Sequence, residues 1–363
     1  MMLRKVKSLL IKLVGGANAA TVLIAILTGY SSCFDAETSP LLSCSGLAFP
    51  AFMIINALFL LFWLFFWWRG AIIPLLGFLL CYFPLRDFCP INLPSNPPDD
   101  AIQLLSMNVM QFKNEMPADS VDALHTIIRY LDMAKPDIAC FQEVPPQRYK
   151  WEQLGGKGRY IEDVDNNSGN VLLMVSRFLI IGKERIPYES LGNLSAAFHL
   201  LIDSDTVTVV SNHFQSFNLS EEERSEVGKI ISGRGNRDPR SEGNRLLISK
   251  VVATTRYRAP QIKAVTHYID SLLSRGRSVI VCGDFNETPV SFSHRQMEKR
   301  LTDCYSSTAT GPGFTFERNG MHFRIDHIFC SPDWTPYNCQ VVDRLHASDH
   351  YPLRCRLKKR SKR

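Results

Sequence analysis

The sequence predicts a membrane-helix region followed by one α/β domain in which two packed sheets are flanked by helices. Three observations favour this fold class. The first 90 residues are apolar and carry few charges, a Pro-rich stretch follows them, and the rest of the chain alternates strand-like runs with a few amphipathic helices. We therefore divide the chain into a transmembrane region at 1–89, a linker at 90–100, an α/β domain at 101–357 and a basic tail at 358–363, which we expect to be a solvated end.

Hydrophobic stretches at 13–30, 47–68 and 71–85 define the first region. A membrane-crossing helix needs about 20 residues, so the second stretch is long enough, the first is close to that length and the third is short. Basic residues precede the first stretch, whereas the loop after it carries Asp35 and Glu37. The positive-inside rule then puts the basic flank in the cytoplasm. Three spans would place the α/β domain outside the cytoplasm, and a third stretch that only dips into the membrane would leave it inside. We expect an integral protein of the inner or plasma membrane with the domain outside.

Composition narrows the function classes. The net charge of +6 comes mainly from the N-terminal flank and the C-terminal tail, so the α/β domain itself gives little support to a broad nucleic-acid-binding face. The ten cysteines contain no C-x-x-C pair, which argues against a zinc or thioredoxin-like site.

Two similar units occur within the α/β domain. In the first, an amphipathic helix ending near Leu131 leads into a strand at 138–141, which is followed by Gln142 and Glu143. In the second, a helix at 262–273 leads into a strand at 278–282, which is followed by Gly283, Asp284, Phe285 and Asn286. Because ligands of α/β proteins gather at the carboxyl ends of strands, the repeat predicts two halves that converge on one site.

A charged, glycine-containing segment at 217–257 interrupts the strand pattern and reads as an insertion near this site. Two interpretations remain open. The segment is either partly helical and in contact with substrate, or a mobile surface loop.

Acidic and amide side chains lie where strand-like runs end. Glu143, Asp284 and Asp349 are the acids, and Asn108 and Asn286 are the amides. Magnesium prefers oxygen ligands of these kinds. Imidazoles lie nearby in the sequence at His213 and His350, and Asp326 is positioned to orient one of them, as carboxylates do in acid–base pairs.

Taken in order, these runs resemble the motif set of the endonuclease/exonuclease/phosphatase superfamily, whose members are DNase I-like. The motifs are Asn108, Gln142-Glu143, Asn212-His213, Gly283-Asp284-Phe285-Asn286, Ile325-Asp326 and Ser348-Asp349-His350. The resemblance covers nearly all of residues 101–357 and implies a four-layer α/β/β/α sandwich with its site at one end of the two sheets.

The resemblance also implies residue roles. Glu143 would be the principal ligand of Mg²⁺ or Mn²⁺, assisted by Asn108 and Asp349. Asp284 would orient or deprotonate the attacking water, and Asn286 would bind the phosphate or a metal. The transition state would be stabilised by two imidazoles, His350 (held by Asp326) and His213.

The implied activity is metal-dependent hydrolysis of a phosphodiester or phosphomonoester by a membrane-anchored protein, and the chain looks most like bacterial, membrane-tethered members. The substrate would be a lipid headgroup, a nucleic acid or a small phosphoester, and we expect the catalytic domain to be monomeric. Two alternatives remain: a nuclease acting on DNA or RNA, and a non-catalytic binding or scaffold protein of the same fold.

Overall fold

The computed structural model describes residues 2–113, 122–166, 169–231, 234–235, 238 and 241–360. The N-terminal region is helical, and its helices are α1 (Met2–Gly29), α2 (Pro40–Cys44), α3 (Phe49–Phe66), α4 (Ile72–Leu80) and α5 (Tyr82–Phe88). Among the described residues, two helical stretches, Lys5–Gly29 and Pro40–Phe66, are long and apolar enough to cross a membrane. The third hydrophobic stretch is a pair of shorter helices bent by 65°.

Polar side chains link the long helices inside this bundle. The indole nitrogen of Trp63 donates to Asn18 Oδ1 at 3.0 Å, Asn18 donates to Asn56 at 3.3 Å, and Asn56 donates to the carbonyl of Pro74 at 3.0 Å. Hydrogen bonds of this kind join helices where hydrophobic burial gives little driving force. They connect α1 with α3 and α3 with α4.

Two six-stranded sheets form the body of the α/β domain within the described residues. In spatial order, the first contains β13 (Trp334–Val341), β14 (Leu353–Lys359), β1 (Ile102–Asn108), β2 (Ile138–Val144), β4 (Val171–Ser176) and β3 (Tyr160–Asp165). The second contains β5 (Leu179–Ile186), β6 (Leu194–Ile202), β7 (Asp205–His213), β8 (Ser278–Asp284), β12 (Asp326–Cys330) and β9 (Thr302–Asp303). A separate hairpin is made by β10 (Phe316–Arg318) and β11 (Met321–Phe323).

Helices cover the outer faces of both sheets. The helices of this domain are α6 (Ala123–Ala134), α7 (Glu221–Ile231), α8 (Glu242–Leu273), α9 (Phe292–Glu298) and α10 (Cys304–Thr308). One hydrophobic cluster, including Leu104 and Phe198, fills the space between the sheets. A second joins Ile262 of α8 to its sheet, and a third joins Ile127 of α6 to the other. The four-layer α/β/β/α fold is confirmed.

The carboxyl ends of two parallel strand pairs meet at one end of the sandwich. Strand β1 runs parallel to β2, and β7 runs parallel to β8, with His213 opposite Asp284. The pairing of β2 with β4 shifts register between Phe141 and Val144. Glu143 lies in this bulge with φ +54°, a conformation that non-glycine residues seldom adopt. Bulges re-aim side chains beside active sites, and this one sets the direction of Glu143.

Two sequence predictions require correction. The last strand continues through Lys359, so the domain boundary at 357 was placed too early. Lys358 contacts Asp100 and Lys359 lies 2.7 Å from Asp205, so these two residues are part of the fold rather than a solvated tail. Residues 361–363 lie outside the described part of the chain.

The insertion at 217–257 contains α7 and the first half of α8, which continues through Pro260 into the predicted helix.

Candidate active site

Asn108, at the end of β1, joins the two halves of the site. Its amide nitrogen donates to Glu143 Oε1 at 3.0 Å and to Asp284 Oδ2 at 3.1 Å. Its amide oxygen accepts from the backbone N–H of Met110 at 3.0 Å. One amide therefore holds a carboxylate from each sheet.

Asp284 is buried at the end of β8. Its Oδ1 accepts a hydrogen bond from the backbone N–H of Asn286 at 2.8 Å. Burial raises the pKa of Asp284 to about 6, against the opposing effect of the nearby His350. Glycine is required just before it, because Gly283 has φ +126° and a Cβ there would lie 2.0 Å from the carbonyl oxygen of Asn212.

His350 and Asp326 form a buried pair. The Nδ1–H of His350 donates to Asp326 Oδ2 at 2.8 Å, and its Nε2 lies 3.8 Å from Asp284 Oδ2. Burial alone would lower the pKa of His350, but the carboxylates of Asp326 and Asp284 outweigh it and raise that pKa to about 10. The hydrogen bond at Nδ1 fixes the ring so that Nε2 faces the site.

His213 approaches the same carboxylates from the end of β7. Its Nε2 lies 3.3 Å from Glu143 Oε1 and 3.8 Å from Asp284 Oδ2. The ring is buried, and neither of its nitrogens makes a hydrogen bond to the described residues. Buried polar atoms without a partner are rare in proteins, so this imidazole is available to a ligand.

Asn286 and Asp349 complete the set of residues predicted from sequence. The side-chain nitrogen of Asn286 donates to the carbonyl of Phe214 at 2.9 Å, which ties the loop after β8 to the loop after β7. Asp349 Oδ2 accepts from Arg318 Nη1 at 3.0 Å. Arg318 was not recognised in the sequence, since a single arginine in a short hairpin carries no signal of its own.

A buried ion pair between Arg258 and Glu287, which was not predicted for the site, supports the loops that carry the site residues. Arg258 is buried, lies 2.6 Å from Glu287 Oε1 and donates twice to the carbonyl of Gln215. It thereby connects α8 with the loops that follow β7 and β8.

A family model described as "Endonuclease/Exonuclease/phosphatase family" matches residues 105–350, a segment that contains every predicted site residue. The chain belongs to this family. A separate model, described as a domain of unknown function, matches residues 11–88, which cover most of the N-terminal helices. No curated protein matches the chain.

Solved structures of the family share this fold at low sequence identity. An endonuclease/exonuclease/phosphatase from Bacteroides vulgatus is 15% identical with a TM-score of 0.50, and the match covers 72% of this chain and 100% of that one. A family protein from Leptotrichia buccalis is 14% identical with a TM-score of 0.51, covering 71% and 100%. The human Nocturnin catalytic domain, solved with a bound sulfate anion, is 16% identical with a TM-score of 0.52, covering 74% and 96%.

The donor chemistry of the predicted ligands fits the hard divalent cation typical of the family. Glu143 and Asp349 offer carboxylate oxygens, and Glu143 is partly exposed to the adjoining cavity. Asp284 and Asp326 add two buried carboxylates, so the site holds an excess of negative charge. Among the described residues, Oδ1 of Asp326 makes no hydrogen bond, which also leaves an oxygen without a partner.

The arrangement of the donors differs in one respect from the predicted ligand set. Asn108 presents its amide nitrogen, rather than its oxygen, to the carboxylates. Among the described residues near this site, three side chains whose ligand atoms all lie within 4.8 Å of one another are Asp284, Asp326 and His350. The assignment of Glu143, Asn108 and Asp349 as ligands therefore stays a prediction.

Proposed function

We propose that this protein is a divalent-metal-dependent phosphoesterase anchored in a membrane by its N-terminal helices. The observation that carries the proposal is the convergence of Glu143, Asp284, Asp349, His213 and His350 at the carboxyl ends of two parallel strand pairs. This chain belongs to a family of phosphoester hydrolases, and it retains acids, amides and imidazoles together at that position.

Glu143 and Asp349, with Asn108 turned to present its oxygen, would hold Mg²⁺ or Mn²⁺. When bound, the cation withdraws negative charge from the phosphoryl oxygens. The remaining roles belong to the chain's own side chains.

Asp284 orients the attacking water and accepts its proton. Its carboxylate is held from both sides by hydrogen bonds, from Asn108 to one oxygen and from the backbone of Asn286 to the other. A fixed carboxylate of this kind avoids the cost of ordering the base during the reaction.

The imidazoles of His350 and His213 donate hydrogen bonds to the phosphoryl oxygens as negative charge grows on them. Asp326 holds His350 in the required orientation. Both rings are buried, so these hydrogen bonds act where water competes weakly.

Hydrolysis of bis-p-nitrophenyl phosphate by the full chain in lipid nanodiscs, with Mg²⁺ or Mn²⁺ and then with EDTA, tests the function. We expect EDTA-sensitive hydrolysis by the wild type, and we expect Glu143→Gln to lose it because its neutral amide is a poor cation ligand. Mn²⁺ binding, followed by electron paramagnetic resonance, should weaken by at least about 100-fold, since even the loss of an outer-shell partner costs about 10- to 100-fold.

The matched control is Glu152→Gln, which makes the same change at an exposed position. It should retain both activity and Mn²⁺ affinity. Wild-type turnover and Mn²⁺ affinity in Glu143→Gln would refute the metal assignment. Tight Mn²⁺ binding by a wild type that hydrolyses no phosphoester would favour a binding or scaffold role instead.

We also propose that the α/β domain lies outside the cytoplasm. The loop between α1 and α3 contacts that domain: Lys263 Nζ lies 2.6 Å from Glu37 and 3.1 Å from Asp35, and Ser31 donates to the carbonyl of Val290 at 3.2 Å. If α1 and α3 both cross the membrane, the domain shares a side with this loop, and the bent α4–α5 pair must cross back. The basic residues before α1 favour the cytoplasm for the opposite side.

A further inference from the structure

An apolar cavity of about 220 Å³ opens directly onto the catalytic acids. At one end it is lined by Glu143, Asp284 and Asp349. Most of the exposed lining is apolar, although Ser216, Asn218, Glu287 and Thr288 also line the cavity, and we call the part formed by Leu47, Phe217, Val227, Val251 and Phe323 the apolar chamber. Hydrolysis of a phosphate ester does not itself require apolar walls. Their presence therefore gives information about the group that is attached to the phosphate.

The walls of the apolar chamber are held by tight packing between separate elements. Phe217 follows β7, Val227 lies on α7, Val251 lies on α8, and Phe323 ends the β10–β11 hairpin. Helix α7 approaches the hairpin closely at Gly228, where a Cβ would lie 1.9 Å from the carbonyl oxygen of Asn319. Only glycine permits this approach. The chamber is therefore built into the fold by the insertion at 217–257.

The cations at the cavity are already paired with acids. Arg318 lies 2.8 Å from Glu221 and 3.0 Å from Asp349, and the Nε of Arg224 lies 3.8 Å from Glu221 while donating to the carbonyl of Leu219. A nucleic acid needs a track of cations that neutralise successive phosphates. Paired arginines beside apolar walls fit a single phosphate attached to an apolar group better than they fit a polyanion.

Leu47 connects the apolar chamber to the membrane. It lies two residues before α3, within the stretch Pro40–Phe66 that is apolar and long enough to cross a bilayer. One wall of the chamber is thus at the point where the chain enters the hydrocarbon region. A molecule that reaches the catalytic acids along this wall comes from the membrane surface.

We propose that the substrate is a lipid-type phosphoester whose phosphate lies at the catalytic acids while the first part of its hydrocarbon chain occupies the apolar chamber. This assignment rests on the proposed phosphoesterase function. An apolar cavity of about 150 Å³ is large enough for benzene. The whole cavity, of about 220 Å³, includes the end where the phosphate lies, so the apolar chamber accepts the first few carbons and the rest of the chain stays in the bilayer.

The test uses methyl, butyl and octyl esters of p-nitrophenyl phosphate, which share one reacting group and differ only in alkyl length. With the full chain in nanodiscs and Mn²⁺ present, kcat/KM should rise by about fourfold for each methylene that becomes buried. We expect the octyl ester to exceed the methyl ester by at least about 100-fold. Val251→Asn places an amide in the apolar wall and should lower this octyl-to-methyl ratio by about tenfold or more.

The matched control is Ile248→Asn, one turn earlier on α8 at an exposed position outside the chamber. The esters partition into the bilayer equally for all proteins, so the difference between Val251→Asn and Ile248→Asn isolates the chamber. A wild-type ratio near one, equal ratios in the two variants, or faster cleavage of single-stranded DNA than of the octyl ester would each overturn the lipid assignment while leaving a phosphoesterase.

If no ester is hydrolysed with either metal, the proposed function is wrong. Ligand binding then tests whether the apolar chamber accepts a hydrocarbon chain. Octyl phosphate and methyl phosphate would then be titrated into the nanodisc-bound protein in EDTA by calorimetry. Tighter binding of octyl phosphate that is lost in Val251→Asn and kept in Ile248→Asn supports an apolar ligand. Equal binding in the two variants overturns it.

Discussion

The role of His350 depends on a partner 24 positions away in the sequence, Asp326. The two residues are brought together because β12, which starts at Asp326, lies beside β8, and the loop between β13 and β14 carries His350, which forms an isolated bridge with Phe316 of β10. Asp326 is a positioning residue in our proposal, since it contacts His350 rather than the substrate.

We expect Asp326→Asn to lower kcat by about 10²- to 10⁴-fold with little change in KM, because an amide no longer fixes the proton on Nδ1 and the transition state loses an oriented donor. Steady-state kinetics with bis-p-nitrophenyl phosphate measures both constants. The control is Asp343→Asn, an identical change at an exposed residue. An effect confined to KM, or an equal loss in the control, would contradict the positioning role.

Residue-scale predictions from the sequence were best where a residue stands directly at a strand end. Asn108, His213 and Asp284 each end a strand, and the structure brings all three together. Arg318 and Glu287 were not predicted for the site because their contacts, with Asp349 and Arg258, arise only after distant segments pack.

At the scale of elements, a buried histidine couples α9 to β9. His294 lies 3.0 Å from Asp303 and 3.5 Å from Glu298. Burial would lower the pKa of His294, but the two carboxylates outweigh it and raise that pKa to about 10. The unfolded value is about 6.5. This ion pair therefore contributes its full stability below about pH 6.5 and loses it as pH rises towards 10.

We expect the difference in unfolding free energy between wild type and His294→Gln to shrink as pH rises from about 6.5 to 10, because only the wild type has this protonated histidine to lose. Thermal unfolding of the full chain in nanodiscs across that range measures the effect. The exposed His125→Gln is the control and should leave the pH profile unchanged. A wild type and a His294→Gln variant with parallel profiles would show that the pair is not ionised in the folded protein.

The sequence predicted the bounds of helices and strands well where the hydrophobic periodicity was strong, and less well where tertiary contacts decide those bounds. The strands predicted to begin at 138 and 278 do begin at Ile138 and Ser278, since both strands are central and almost fully buried. Helix α8 begins 20 residues before the predicted start at Ile262, because that prediction followed the apolar spacing from Ile262 to Leu273, whereas the helix continues through Pro260 from Glu242. The bulge at Glu143 has no sequence signature, because it results from pairing between β2 and β4.

At the scale of the whole molecule, the three hydrophobic segments run in alternating directions along the helical bundle. Near the α/β domain, a Cβ on Gly29 would lie 2.9 Å from the ring of Phe49 and 3.3 Å from Pro84. At the opposite end of the helical bundle, a Cβ on Gly70 would lie 2.3 Å from the ring of Trp63. The α4–α5 pair thus returns to the level at which α1 ends and α3 begins.

This arrangement predicts that Cys33, which is exposed in the loop after α1, is labelled by a membrane-impermeant maleimide from the same side as Asp203→Cys in the α/β domain. Arg69→Cys, between α3 and α4, should be labelled only from the opposite side. Intact cells and permeabilised cells provide the comparison, with Cys44 and Cys89 replaced by serine to reduce background. Labelling of Cys33 and Asp203→Cys from opposite sides would mean that the α4–α5 pair does not cross.

The sequence by itself determined that apolar N-terminal helices precede an α/β domain, and it supplied the family motifs and the acids and imidazoles of the candidate site. These features are local, since each depends on composition, periodicity or a short run of residues. Only the tertiary structure decided that the loop after α1 lies against the α/β domain, that Arg318 pairs with Asp349, and that one apolar cavity extends from the candidate site to Leu47, just before α3. Those features consist of contacts between segments far apart in the chain, and a single sequence carries no periodicity that encodes them.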